Sequence, residues 1–307
     1  MASREEKNKD IQEQIEEEKA YQRRKKIIKT FLKTTIIVVT VFFIIYFYTY
    51  YSSTKGIVVK EKRLVEERLP SSFRSVKIIQ FSDLYYGTTI YQDELKNLVK
   101  QINLRNPDIV VFTGNLISSD YKISLKNEEK IIKELQNINA SIGKYAISGK
   151  EDNSEDFLKI MTQSNFNVLD NNYDLVYNQD NSPILLVGLS SLINKKRDID
   201  KAYSYYNEPT HNNEIYQILL MSEDDDLDGI ISKYHPDLVL AGNSLNGQIR
   251  LPIIGGILKK EGSSKYSEAY YKVNNTKIFV SGGIGYPDIG FRFYNNPSIN
   301  FFRLVNK

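Results

Sequence analysis

A chain of 307 residues is long enough for one large domain, or two small ones, with a well-filled core. Its 41 basic and 38 acidic residues leave a net charge of +3, too near balance to argue for nucleic acid, and the absence of cysteine excludes a disulfide framework or a thiolate metal site. Histidine is scarce as well: His211 and His235 are the only 2, whereas a di-metal hydrolase draws on several imidazoles.

Residues 1–22 are polar, with an acidic cluster at Glu16, Glu17 and Glu18, and fit either a short amphipathic helix or a disordered tail. Arg23, Arg24, Lys25, Lys26, Lys29 and Lys33 follow with no acid among them, and from Thr34 to Thr54 no residue is charged. About 20 residues of helix cross a hydrocarbon core of about 30 Å. Tyr46, Tyr48, Tyr50 and Tyr51 crowd one end of the run, as an interfacial aromatic belt does. So long an uncharged run argues against a buried core helix. No small-x-small site follows it, which argues against a cleaved signal peptide. The expectation is a signal anchor: a cytoplasmic basic tail over 1–33, a transmembrane helix over 34–54 and a linker over 55–69. A single extracytoplasmic domain over 70–307 follows. The orientation rests on the basic residues before the span outnumbering Lys55, Lys60, Lys62 and Arg63 after it. The expected location is thus the cell membrane, single-pass, with lipid contacted through one helix and anionic headgroups met by the basic run.

Beyond the span, the run VVKEKRLVEERLP alternates charged and apolar residues and suits an edge strand. Val76, Ile78 and Ile79 form an apolar, β-branched run broken by Ser82-Asp83-Leu84, with Gly87 free to turn; this reads as a buried strand. In such sheets chemistry sits just past the carboxyl ends of the strands, which is where Asp83 falls. Leu95, Leu98, Val99 and Ile102 recur at helical spacing, and Asp93 can cap that helix. Two later stretches repeat the plan of the first strand: NPDIVVFTGN, ending at Asn115, and HPDLVLAGN, ending at Asn243. Helices are expected over 128–138, 157–162, 199–205 and 226–234. Strands are expected over 145–147, 166–169, 184–187, 216–221, 277–280 and 300–304, with little pattern across 189–213. Strands alternating with helices mean an α/β domain.

The order of these pieces resembles the calcineurin-like metallophosphoesterase superfamily, most closely its membrane-anchored bacterial branch, over roughly 70–305. The motifs that carry the resemblance are Asp83-Leu84-Tyr85 for Asp-x-His, Gly114-Asn115 for Gly-Asn, and Gly149-Lys150-Glu151-Asp152 for Gly-Asn-His-Asp/Glu. Ser222 stands for a histidine after a short apolar strand. GNSLNGQIRLP stands for Gly-His-Thr-His-Gly-Gly-Gln followed by an apolar Arg-Leu-Pro segment, and VSGGIGYPDIGFRFYNNP resembles the closing Gly-rich segment. The resemblance implies a four-layer α/β-β/α sandwich preceded by one transmembrane helix, with two metal ions at the strand ends.

The implied ligand set is degenerate. Asp83 alone keeps the family residue type; Tyr85, Asn115, Lys150, Ser222, Asn243 and Leu245 replace the others, while Gln248 is retained. Leu245 has no donor atom. A lysine at about 4 Å from a dication is unfavourable by about 8 kcal/mol at an effective dielectric of about 20. Glu151 stands at the position implied to protonate the leaving group, and a carboxylate ordinarily titrates too low for that. The reading that follows is a pseudoenzyme with no catalytic residue and no cofactor, its strand-end residues lining a pocket for a phosphorylated or envelope ligand. In that pocket Lys150 offsets the charge of Asp83, with Asn115 and Asn243 as neutral partners. Asp83 is equally open to a turn role in which it bonds its own backbone.

Two other readings stay open: an active phosphoester hydrolase with an altered site holding Mn, Zn, Fe or Ca, and a structural envelope protein. The run Asp224, Asp225, Asp226, Leu227, Asp228, Gly229 matches the start of a calcium loop, with Asp224, Asp226 and Asp228 as ligands. The same acids suit the first turn of the expected helix. His211 and His235 lie outside every motif and read as loop residues.

Overall fold

The computed structural model describes residues 4–51, 56–194, 196–208, 210–211, 214–287 and 292–306. The chain divides into two units, Met1–Ser52 and Ser53–Lys307.

The first unit is one helix, α1 (Arg4–Tyr51). Its 48 residues reach about 72 Å at about 1.5 Å per residue. The polar stretch is helical from Arg4 onward, though not as the short amphipathic helix expected: it runs without a break into the apolar run. The helix is long and apolar enough to cross a membrane, and its described apolar side chains are exposed. The expected end of the span at Thr54 lies outside the described residues.

The second unit has four layers. Sheet one carries β1 (Val58–Glu66), β2 (Lys77–Phe81), β3 (Ile109–Thr113), β4 (Gly143–Ile147), β5 (Asn167–Val168) and β14 (Ser298–Asn306), in the order β1-β14-β2-β3-β4-β5. Sheet two carries β6 (Asn172–Val176), β7 (Ile184–Gly188), β8 (Gln217–Met221), β9 (Leu238–Ala241), β12 (Tyr270–Val273) and β13 (Thr276–Val280), in the order β12-β13-β9-β8-β7-β6. The central strands run parallel within each sheet: β2 to β5 in the first, β7, β8, β9 and β13 in the second. A small hairpin, β10 (Arg250–Leu251) with β11 (Gly255–Gly256), stands apart from both sheets. The stretch expected as linker thus supplies β1, an edge strand in full parallel register with the last strand.

Period-two alternation sorts the side chains. Ile78, Val111 and Ile147 face Leu186, Leu220 and Leu240 between the sheets, while Ile79, Val110, Phe112 and Ala146 face outward. The outward set is covered by α2 (Gln92–Asn103), α3 (Leu125–Gln136) and α4 (Ser154–Gln163) through Leu95, Leu98, Ile131, Leu135, Phe157 and Ile160. The far face of sheet two is covered by α5 (Ile199–Ala202) and α6 (Leu227–Tyr234). This is the α/β-β/α sandwich, and it directs the carboxyl ends of β2, β3, β4, β8 and β9 to one rim. The cap of α2 differs from expectation: Tyr91 is its N-cap and Glu94 accepts the Tyr91 N–H at 3.1 Å, leaving Asp93 to complement the helix dipole.

Candidate functional site

Five strand ends supply the rim: Ser82-Asp83-Leu84 after β2, Gly114-Asn115 after β3, Ser148 to Asp152 after β4, Ser222 after β8, and Gly242 to Gln248 after β9. Their backbone is held in the left-handed region, with φ of +57° at Asp83, +46° at Tyr85, +60° at Asn115, +58° at Asn243 and +51° at Leu245. Asn and Asp tolerate this region by bonding locally; for buried Tyr85 and Leu245 it is strain that the surrounding packing must hold. Gly149 has a steric reason: a Cβ there would lie 2.5 Å from Asn115 Oδ1 and 2.8 Å from Ser222 Oγ.

The side chains close on one another. Asn115 Nδ2 donates to Asp83 Oδ1 at 2.7 Å and to Asn243 Oδ1 at 3.3 Å, and Asn115 Oδ1 accepts the Glu151 N–H at 3.1 Å. The Asn243 N–H donates to Asp83 Oδ2 at 3.2 Å, and Ser82 Oγ donates to the same oxygen. Asn243 Nδ2 donates outward to Glu261 O at 2.9 Å and Ser263 Oγ at 3.0 Å. Asp83, Tyr85, Asn115, Ser222, Asn243 and Leu245 are all 0% exposed and Gln248 is buried beside them. Seven expected site residues are therefore brought together, but as packed interior and not as the lining of an open pocket.

Asp152 clamps two of the loops. Its carboxylate accepts N–H groups from Asn115 at 2.9 Å, Leu116 at 2.7 Å and Gly149 at 2.8 Å. Burial nevertheless pushes this carboxyl up to about 7. Burial likewise pushes Asp83 up to about 6, against the pull of Asn115, Ser82 and the charges of Lys260 and Arg292.

Those last two residues correct the expected charge balance. Lys150 does not face Asp83: its ammonium lies 3.5 Å from Glu151 Oε1, with both side chains partly exposed at the rim. The counter-charges come instead from Arg292 and Lys260. Arg292 is fully buried and donates to Gly282 O and Gly285 O, each at 2.6 Å. Burial lowers its pKa to about 10, with Asp83 supporting the charged form. Lys260 lies 5.9 Å from the centre of the Tyr85 ring. The signal for Arg292 was an arginine inside the apolar run of the closing segment; nothing local marked Lys260.

This donor set does not fit two divalent cations. Its seven residues offer one carboxylate, three amides, two hydroxyls and a leucine, and the Asn115 amide N–H points at Asp83 where two cations would need an anionic oxygen between them. The acidic run does not supply a replacement. Asp226 bonds Arg197 at 2.6 Å, Asp228 is paired with Lys265 and Tyr266, and Asp225 accepts from Ser264 N at 2.8 Å. The Asp224 carboxyl is buried without a hydrogen-bond partner, and burial raises its pKa well above the ordinary carboxylate range. Asp224, Asp226 and Asp228 thus have separate surroundings, and among the described residues no group of three or more acids and histidines is placed to hold a metal. His211 stacks on Tyr205 at 4.3 Å, and His235 ends α6 at φ +50°; both are remote from the rim.

Among known proteins, the chain is similar to a Bacillus subtilis (strain 168) protein named "Uncharacterized metallophosphoesterase YkuE". The two are 29% identical over 252 residues, 81% of this chain and 85% of the relative. It is also similar to a Danio rerio "Transmembrane protein with metallophosphoesterase domain", 23% identical over 250 residues; that match takes in 76% of this chain and about half of the fish protein, 54%. No family model matches the chain. Among solved structures, the calcineurin-like phosphoesterase YfkN from Bacillus subtilis aligns at a TM-score of 0.39 and 12% identity, over 68% of this chain and 81% of its own.

Proposed function

We propose that this chain, which belongs to the calcineurin-like metallophosphoesterase superfamily, is a membrane-anchored interaction domain that does not hydrolyse phosphoesters. The observation that carries this reading is the direct bonding of Asn115 to Asp83 at 2.7 Å and to Asn243 at 3.3 Å inside a fully buried cluster. Two-metal hydrolysis needs cations that bind the substrate oxygen and activate a water. Here neutral amides occupy that space, and no imidazole reaches it. The left-handed loops are the scaffold of such a site, and the side chains of Asp83, Asn115 and Asn243 that they present hold one another. Recognition then falls to the outer surface of the domain, and the basic flank before the apolar helix favours the outer side of the membrane for it.

The test uses the full chain purified in detergent. Elemental analysis after dialysis against manganese, iron or zinc should find no metal above the buffer blank, and bis-p-nitrophenyl phosphate should not turn over with added manganese. Near-stoichiometric metal together with metal-dependent turnover would overturn the reading.

A further inference from the structure

The hairpin of β10 and β11 projects apolar side chains that no described residue of the domain covers. Its turn is Pro252-Ile253-Ile254, with Arg250 opposite Gly256 and Leu251 opposite Gly255. Ile253 is fully exposed and Ile254 is 71% exposed; Leu251 and Ile257 are exposed beside them. Ile253 also sits at φ +72°, a conformation that a β-branched residue rarely adopts. Other exposed apolar residues of the domain, such as Leu104, Leu125 and Leu158, stand singly on helices and need no explanation. A contiguous apolar tip does.

Three neighbours indicate what covers it. Lys259 is exposed directly after the tip, so a cation flanks the apolar patch. Tyr294 is 65% exposed and follows Phe293, whose carbonyl accepts the Arg250 N–H at 2.9 Å; an aromatic thus borders the hairpin. The amino end of the domain lies at the same end of the sheets. The Val58 N–H donates to Pro297 O at 2.8 Å, and the Lys60 ammonium lies 3.2 Å from the amide of Asn246, at the root of the hairpin. Apolar side chains bordered by tyrosine and lysine are the composition of a segment resting in a lipid interface.

We propose that the tip Leu251–Ile257 is a second lipid contact: Ile253 and Ile254 enter the boundary between headgroups and acyl chains of an anionic bilayer, and Lys259 meets the headgroup phosphates. This inference does not depend on whether the strand-end cluster is catalytically silent.

The chain contains no tryptophan, so Ile253→Trp places a single reporter at the tip, where no protein contact is lost. The full-length variant is reconstituted in vesicles of phosphatidylcholine with phosphatidylglycerol, with and without brominated acyl chains. Blue-shifted emission quenched by the bromolipid is expected, whereas Leu158→Trp on α4 should stay red-shifted and unquenched. Adding Lys259→Glu, or omitting phosphatidylglycerol, should reduce the quenching. Tip emission matching that of the Leu158→Trp control would overturn the proposal. A shielded tip that bromolipid does not quench would also overturn it, since a protein surface or a second copy then covers the hairpin. Quenching unchanged by both charge manipulations would overturn the role given to Lys259.

Discussion

The segment Gly242–Ile257 contains both halves of an instructive contrast. Its first part places Asn243 and Leu245 in the strand-end cluster, where polar groups are buried and bonded to one another. Its second part is the hairpin, where Ile253 and Ile254 are exposed and apolar. A hydrolase arranges these the other way, with an open polar cleft and a covered apolar periphery. The difference teaches where each region looks for its partners. The Asp83 carboxyl and the Asn115 and Asn243 amides are satisfied from within, where an unpaired buried polar group would cost about 1–3 kcal/mol, whereas the buried Ser222 Oγ beside them has no hydrogen-bond partner. The hairpin leaves apolar side chains in water that would each gain about 1.5–3 kcal/mol on burial, so its partner lies outside the domain.

The sharpest way to break this contrast is to remove the buried cation that sustains the inner half. Arg292→Met leaves Gly282 O and Gly285 O without their donor and takes a counter-charge from Asp83. Deleting one member of a buried charged network costs about 3–5 kcal/mol. The melting temperature of the full chain in detergent should fall accordingly, while Ile253→Asp at the hairpin tip should leave it unchanged. Equal effects at the two positions would mean that the cluster is not held by its own electrostatics.

Next in size is the dependence on pH. Asp83 titrates near 6 in the folded chain, above its ordinary 3.8, so between those values the folded state holds a proton that the unfolded state has released. The contribution of Asp83 to stability therefore falls as pH rises from about 4 to 6 and is flat above, a loss of about 3 kcal/mol for a shift of about 2 pKa units. In Asp83→Asn that part of the slope should vanish, leaving the contribution of Asp152, which acts in the same direction up to about 7. Denaturation curves at pH 4.5 and 7.5 check this. An unaltered slope in Asp83→Asn would show that the carboxylate is solvated or already ionised across the range.

Much of the sandwich was legible because its strands are short, continuous and β-branched: 78–79, 109–112 and 238–240 announce themselves, and Pro-Asp before and Gly-Asn after mark their ends. What the sequence could not show was set by long-range geometry. The alternation in VVKEKRLVEERLP marks an edge strand, but nothing local tells that β1 pairs in parallel with β14, from opposite ends of the domain. The candidate site was half legible for the same reason. The motifs mark the loops that converge, but they point for the charge facing Asp83 to Lys150, which is adjacent in the motif. That charge comes from Lys260 and Arg292, which are adjacent only in space. Nor does a motif reveal closure: Asn115, Asn243 and Ser222 in sequence fit an open pocket or a packed plug equally well, and only the distances choose.

That misplacement of charge yields the smallest and most discriminating expectation. If Lys150 compensated Asp83, Lys150→Met would rank with Arg292→Met. Its ammonium instead meets Glu151 at 3.5 Å, with 23% and 15% of the two side chains exposed, so water can replace either partner. Such rim pairs are worth at most about 1 kcal/mol. The backbone carbonyl of Lys150, which accepts from Asn194 Nδ2 at 3.0 Å, is untouched by the substitution. Lys150→Met should thus shift the melting temperature little, and equally in wild-type and Asp83→Asn backgrounds, because the two side chains do not interact. A large shift that disappears in Asp83→Asn would place the ammonium against the buried carboxylate and return the compensating role to Lys150.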